Sequence, residues 1–438
     1  MSNPLEMPIQ PITAVRIKGF KSLADEQTIA LRPLTLLAGA NSSGKSSAIQ
    51  PLLLLKQTLE ASYDPGPLLL DGPHVRFTSA DQFLSKISGR QHREFEIRVE
   101  LANRAGGSVF RKGPEGHLEI DRTVLSIGNQ EVILRPGISD QELRRLPEWS
   151  SVYPLLPPDA PGYHSVGRYR CFLGVEIDIP ESSIRFAPIP AVPIVPLLRI
   201  LHVPGLRGNP ARVYKATGGD QPFPGTFENY AASVIASWQD HTDSRVEALG
   251  RSLEDLGLSW TVRTRPIDAT QVELLVGRLP QRAKSRTEDL VNIADMGFGV
   301  SQVLPVLVAL LLAEPNQMVY LEQPELHLHP RAQEALAVVL VDAANRGVRV
   351  VAETHSSLLL LAVQTLVVEG KIDPDKVKLH WFQRDSRGST HVHSADLDEL
   401  GTYGDWPVDF GQVGLEADNR YLDAVEARAF PPKAHVQK

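Results

Sequence analysis

Residues Leu34 to Gln50 read LTLLAGANSSGKSSAIQ. Leu34, Leu36 and Leu37 form an apolar run that ends in glycine, the pattern of a buried strand. GANSSGKS, Gly39 to Ser46, then sets two glycines around four residues, followed by lysine and serine. Glycines let the backbone turn tightly and bring N–H groups onto phosphate oxygens. A lysine at the end of the turn adds charge at the β- and γ-phosphates. The serine hydroxyl offers a ligand to Mg²⁺, and a helix starting there points its positive end at the anion. Gly39, Asn41, Ser42, Ser43, Gly44, Lys45, Ser46 and Ser47 are therefore the expected ATP-phosphate positions. The segment SSAIQPLLLLKQTLE reads as the helix, with a kink or restart at Pro51.

Working outward, FEIRVEL, HLEIDRTVLSI and EVILR alternate polar and apolar residues, as antiparallel strands with one wet face do. Residues 136–212 are proline-rich and read as loop or edge strand. Tyr230 to Leu256 reads as one or two helices, and WTVRTRPIDATQVELLVGRL as a strand pair. From Asp289 to about Phe382 long helices alternate with buried strands. This predicts one α/β head split in sequence, over 12–90 and 287–384, around an inserted lobe at 91–286. A C-terminal extension follows at 385–438.

Composition narrows the class. The chain has 438 residues, 42% of them hydrophobic, and a net charge of -7. That excludes a strongly basic nucleic-acid coat. The single cysteine, Cys171, permits neither an internal disulfide nor a cysteine zinc cluster. No signal-like start is present, and the longest apolar run, Val303 to Ala313, is too short for a membrane span. A cytoplasmic protein without membrane contact is expected.

Three further segments point at the phosphate loop. VYLEQPELHLHP, Val319 to Pro330, is a strand ending in Glu322, where such enzymes hold Mg²⁺. The next residue, usually a water-activating carboxylate, is Gln323, and Glu325 follows two positions on. VRVVAETHSS is a second buried strand whose end offers His355 to a γ-phosphate. MGFGVSQVLPVLVALLLA opens a helix with Gly297, Gly299 and Ser301, a second anion-binding turn. Either a second ligand binds there, or the turn closes on ATP held by another subunit. His327 and His329 have no evident third ligand and read as a structural turn.

These segments, with IKGFKSL, LHVPGLRG and GDWPVDF, resemble the ABC-type ATPase heads of the SMC and RecF group. They are most similar to AAA-labelled bacterial ATPases related to the overcoming-lysogenization-defect family. The resemblance implies an α/β head with a mixed central sheet, an antiparallel β subdomain and an inserted α/β lobe. It implies Lys45 and Ser46 on phosphate and Mg²⁺, Glu322 as the magnesium carboxylate, His355 as the γ-phosphate switch and Gln82 as a loop glutamine near Mg²⁺. Gly297 to Ser301 would complete the site of the other subunit in a homodimer. Two departures stand out: Gly297 replaces the usual signature serine, with Ser301 as a substitute, and Gln323 sits where the catalytic glutamate belongs. An amide can orient water but cannot take its proton at pH 7.

Relatives stand beside nucleases in phage defence, which implies a slow switch acting on an effector protein, a nuclease above all, or on DNA. Two alternatives remain: a nuclease built on Glu369, Asp396 and Asp398, and a nucleotide sensor without turnover. GRLPQRAKSR, with Arg278, Arg282, Lys284 and Arg286, is either a DNA-backbone contact or a solvated loop.

Overall fold

In the computed structural model, which describes residues 9–87, 89–146, 163–178, 185–186, 193–217, 223–279, 289–404 and 419–425, Leu34–Gly39 is a strand buried along its whole length. It lies inside a six-stranded sheet. The order is Leu201–Val203, Met318–Glu322, Arg349–Thr354, Leu34–Gly39, Val377–Arg384, Thr390–Asp396. The first five run parallel and the last turns back antiparallel. The apolar runs read from the sequence become its inner strands because both faces are covered.

Alternation assigns each strand residue to one of two cores. Leu34, Leu36, Val319, Leu321, Val350 and Ala352 face one side. Leu37, Met318, Tyr320 and Val351 face the other. The first side is packed by the helices Phe298–Leu312, Pro330–Asn345 and Ser357–Val368, together with Ala231–Asp240 and Arg245–Asp255. The second is packed by the helix Gln50–Glu60 and a six-stranded antiparallel sheet. That sheet runs Gln27–Ala30, Ala14–Lys18, Glu94–Glu100, Arg104–Lys112, Leu118–Ile127, Gln130–Leu134.

The helix after the phosphate loop does restart at proline: a single turn over Ser46–Ala48 precedes Gln50–Glu60, with Pro51 in the first turn. There its missing N–H costs nothing. The strand pair near residue 270 is a hairpin of Val262–Asp268 and Gln271–Gly277, with Leu290–Asn292 added to it. Of the proline-rich region, LPPDAPG lies outside the described residues. The rest includes the paired strands Tyr163–Tyr169 and Phe172–Asp178 and the short helix Ile194–Leu198.

The expected segment boundaries cut across sheets. Ala14–Lys18, assigned to the head, pairs with Glu94–Glu100 of the supposed insert. Leu201–Val203, also in the insert, is the outer strand of the central sheet. Thr390–Asp396, placed in the extension, is its other edge. Each is a short or edge strand whose partner is distant in sequence, and local pattern cannot supply that information.

Candidate functional site

The phosphate loop fits its sequence. Gly39 and Gly44 take positive φ, +145° and +106°. A side chain on Gly44 would come within 2.7 Å of Thr390 Oγ1, and one on Gly39 within 2.4 Å of the Phe382 carbonyl. The loop is braced from behind by Thr390, whose hydroxyl donates to the Ser43 carbonyl at 2.6 Å and lies 2.8 Å from Ser22 Oγ. Lys45 is buried, and its ammonium donates to the carbonyls of Gly39 and Ala40 at 2.9 and 2.8 Å. Burial lowers its pKa to about 8, against the pull of Glu353 and Glu325.

A cleft of about 640 Å³ opens over the loop. Asn41, Ser42, Ser43, Gly44, Lys45, Ser46 and Ser47 line it, joined by Gln82, Gln323 and His355 from distant parts of the chain. Gln323 follows the Met318–Glu322 strand at φ +45°, and its N–H donates to the Glu353 carbonyl at 3.0 Å. His355 ends the adjacent strand; burial and nearby Lys45 hold its pKa below the usual imidazole value. Gln82 ends a short turn over Ala80–Gln82 and is held by Thr78 through two bonds, 2.8 and 2.9 Å.

Glu322 sits one strand further from the phosphate loop than the sequence reading placed it. Its strand is separated from the phosphate loop strand by Arg349–Thr354. Its carboxylate accepts from the Gly205 N–H at 3.0 Å and lies 3.1 Å from His202 Nε2. The carboxylate beside Ser46 is Glu353, which the sequence reading passed over. Ser46 Oγ donates to Glu353 Oε2 at 2.8 Å, and the Tyr320 hydroxyl donates to Oε1. Glu353 is buried, and burial pushes its pKa up to about 7. The pattern A-E-T-H-S held the clue: an acidic residue directly after the buried apolar run Val350 to Ala352.

Glu325 does not line the cleft. Its Oε1 accepts from Thr354 Oγ1 at 2.8 Å and from the His355 N–H at 2.9 Å, so it ties down the histidine turn. Its Oε2 is buried and has no hydrogen-bond partner among the described residues. Gly297, Gly299 and Ser301 are also absent from the cleft. Gly297 caps the helix Phe298–Leu312, and Ser301 Oγ donates back to the Phe298 carbonyl at 3.0 Å.

The tail carboxylates do not converge. Asp396 pairs with Lys378 at 2.7 Å and Arg32 at 3.0 Å, while Asp398 holds its own turn through Thr402. Among the described residues no group of three or more His, Cys, Asp or Glu could hold a metal. Of the basic stretch, Arg278 is paired with Asp289, and Arg282, Lys284 and Arg286 lie outside the described residues.

Two family models match the chain. One, described as "AAA ATPase domain", matches residues 11–113 and contains the phosphate loop. The other, described as "AAA domain, putative AbiEii toxin, Type IV TA system", matches 262–362 and contains the signature turn, Gln323 and His355. The chain is therefore similar to AAA-type ATPases over the two segments that build the cleft. No curated protein matches it. Among solved structures, the chain is similar to an SMC head bound to the C-winged-helix domain of ScpA, at 14% identity and a TM-score of 0.47, covering 90% of this chain and 99% of that one. It is also similar to the SMC head domain from Thermotoga maritima, at 11% identity and a TM-score of 0.40, covering 87% and 98%. A third is the SMC head with an extended coiled coil bound to the C-terminal domain of ScpA derived from Pyrococcus furiosus, at 10% and 0.46, covering 95% and 100%. Likenesses of this size assign no activity and no partner to this chain. No helix among its described residues is long and apolar enough to cross a membrane.

Proposed function

We propose that the chain binds ATP with Mg²⁺ in this cleft and works as a slowly hydrolysing homodimeric switch. Its closed state controls an effector protein, foremost a nuclease, or DNA, in defence against phage. The observation behind this reading is the convergence of Lys45, Ser46, Gln323, Glu353 and His355 on one cleft. The toxin–antitoxin wording of the model over 262–362 points to the same kind of conflict system.

Ser46 and Glu353 present hard oxygens side by side, the donor set that suits Mg²⁺ shared with phosphates. When bound, the metal would neutralise charge on the β- and γ-phosphate oxygens. Gln323 orients water without accepting its proton, and Glu325 lies outside the cleft with Oε1 held by the Thr354–His355 turn, so hydrolysis is slow. The second glycine turn lies outside the cleft, which supports a site completed by the partner subunit. Cytoplasmic residence is part of this reading.

The test is Lys45→Ala. Nucleotide affinity should fall on the order of 10²-fold, since a buried charge aimed at phosphate is lost. Light scattering of the parent should show a dimer with ATP and a monomer without it. A parent protein that binds no ATP, or stays monomeric at micromolar concentration in both conditions, overturns the proposal.

A further inference from the structure

LHVPGLRGNP, Leu201 to Pro210, grips the site from outside the cleft. His202 and the Gly205 N–H hold the Glu322 carboxylate. One Arg207 nitrogen, Nη2, donates to the carbonyls of Glu322 at 2.9 Å and Gln323 at 3.2 Å. The other, Nη1, donates to the Gln302 carbonyl at 3.0 Å, inside the helix that begins at the signature turn. Gln302 returns the contact through its side-chain amide, which donates to the Gly208 carbonyl at 2.9 Å. The gripped pieces are soft. Gln323 sits at a positive φ that a side-chain-bearing residue rarely adopts. Pro305 has no N–H for the Ser301 carbonyl, so the helix is weakened one residue from the arginine's hold.

We infer that Arg207 is a positioning residue that clamps the Glu322–Gln323 turn to the first turns of the Phe298–Leu312 helix, so that the two move together. Its planar fork serves carbonyls on two elements at once, which a lysine ammonium cannot do in the same geometry. The inference rests on the switch reading in one respect: the helix it clamps is the one whose start would meet the other subunit. Nucleotide-driven movement of Gln323 would then reach the dimer face through Arg207, alongside the direct contact of Phe298 with His327.

Hydrogen exchange tests the clamp without requiring turnover. Without nucleotide, Arg207→Ala should speed exchange in peptides spanning 321–328 and 298–304 by about tenfold or more, and leave 34–39 unchanged. Arg207→Lys should fall between variant and parent. Gln302→Leu, which cuts the return contact, should loosen the same two peptides. With ATP, Arg207→Ala should retain affinity within about threefold of the parent but lose ATP-dependent dimerisation. Unchanged exchange in both peptides overturns the clamp, as does loosening spread evenly over the protein. A parent that fails to bind ATP sinks the switch reading alone, because the nucleotide-free exchange result still decides the clamp.

Discussion

The phosphate loop and the signature turn look alike in sequence, each a glycine-bearing turn that opens a helix, yet their glycines answer to different constraints. Gly44 is demanded by its own fold: its φ is +106°, and a methyl there would press on Thr390 and Ser22. Around Gly297 nothing lies within 4 Å of an added methyl, and its φ is an ordinary -62°. A glycine that its own chain does not require is free to serve a surface outside that chain. The first turn is fixed by internal fit, and the second keeps a bare, accessible backbone at Gly297 while Gly299 packs near Leu258.

Substitutions can break or sharpen that contrast. Gly44→Ala combines backbone strain with a contact against braced hydroxyls, so it should cost on the order of 2–4 kcal/mol, read from denaturant unfolding. A loss below about 0.5 kcal/mol would show that the loop is not held as tightly as described.

Glu353→Gln probes the same loop through its buried acid. The Glu353 pKa rises from 4.5 to about 7 through burial. Between those values the folded protein keeps a proton that the unfolded chain has released. Stability therefore falls as pH rises from about 4.5 to about 7 and is level above that. The amide variant should lack this slope and, in EDTA at pH 8, be more stable by on the order of 1–3 kcal/mol. It should also raise the Mg²⁺ concentration needed for tight ATP binding, whereas Glu322→Gln should not. If instead Glu322→Gln carries the magnesium effect, the metal belongs to the outer carboxylate.

Gln323→Glu should leave ATP affinity unchanged and raise steady-state hydrolysis by about tenfold or more, since it supplies a base where only an amide stood. No gain in rate would mean that positioning limits turnover at this site, and not proton transfer. The smallest effect on the fold is expected at the signature turn. Gly297→Ala should cost at most ~1 kcal/mol, the scale of a poorer helix cap, while weakening the ATP-dependent dimer. A normal dimer in that variant would remove the distinction between the two turns.

The sequence by itself determined the phosphate loop, the buried strand before it and the amide Gln323 at the end of a second apolar strand, because each is a local pattern with its own chemistry. It also showed the alternation of the inner strands and the restart at Pro51. It did not show Arg104–Lys112, RAGGSVFRK, as a strand, since paired glycines argue against one. Gly107 is there because its neighbour's backbone comes so close that a methyl would lie 2.2 Å from the Ile97 carbonyl. Only the tertiary structure decided which carboxylate meets Ser46. Glu322 and Glu353 both end or nearly end apolar strands, and both are plausible ligands in one dimension. Strand order separates them: Arg349–Thr354 lies next to the phosphate loop strand, and Met318–Glu322 lies beyond it. Adjacency in a parallel sheet is set by how whole layers pack, and so Glu353, Arg207 and the brace at Thr390 became visible only when the chain was folded.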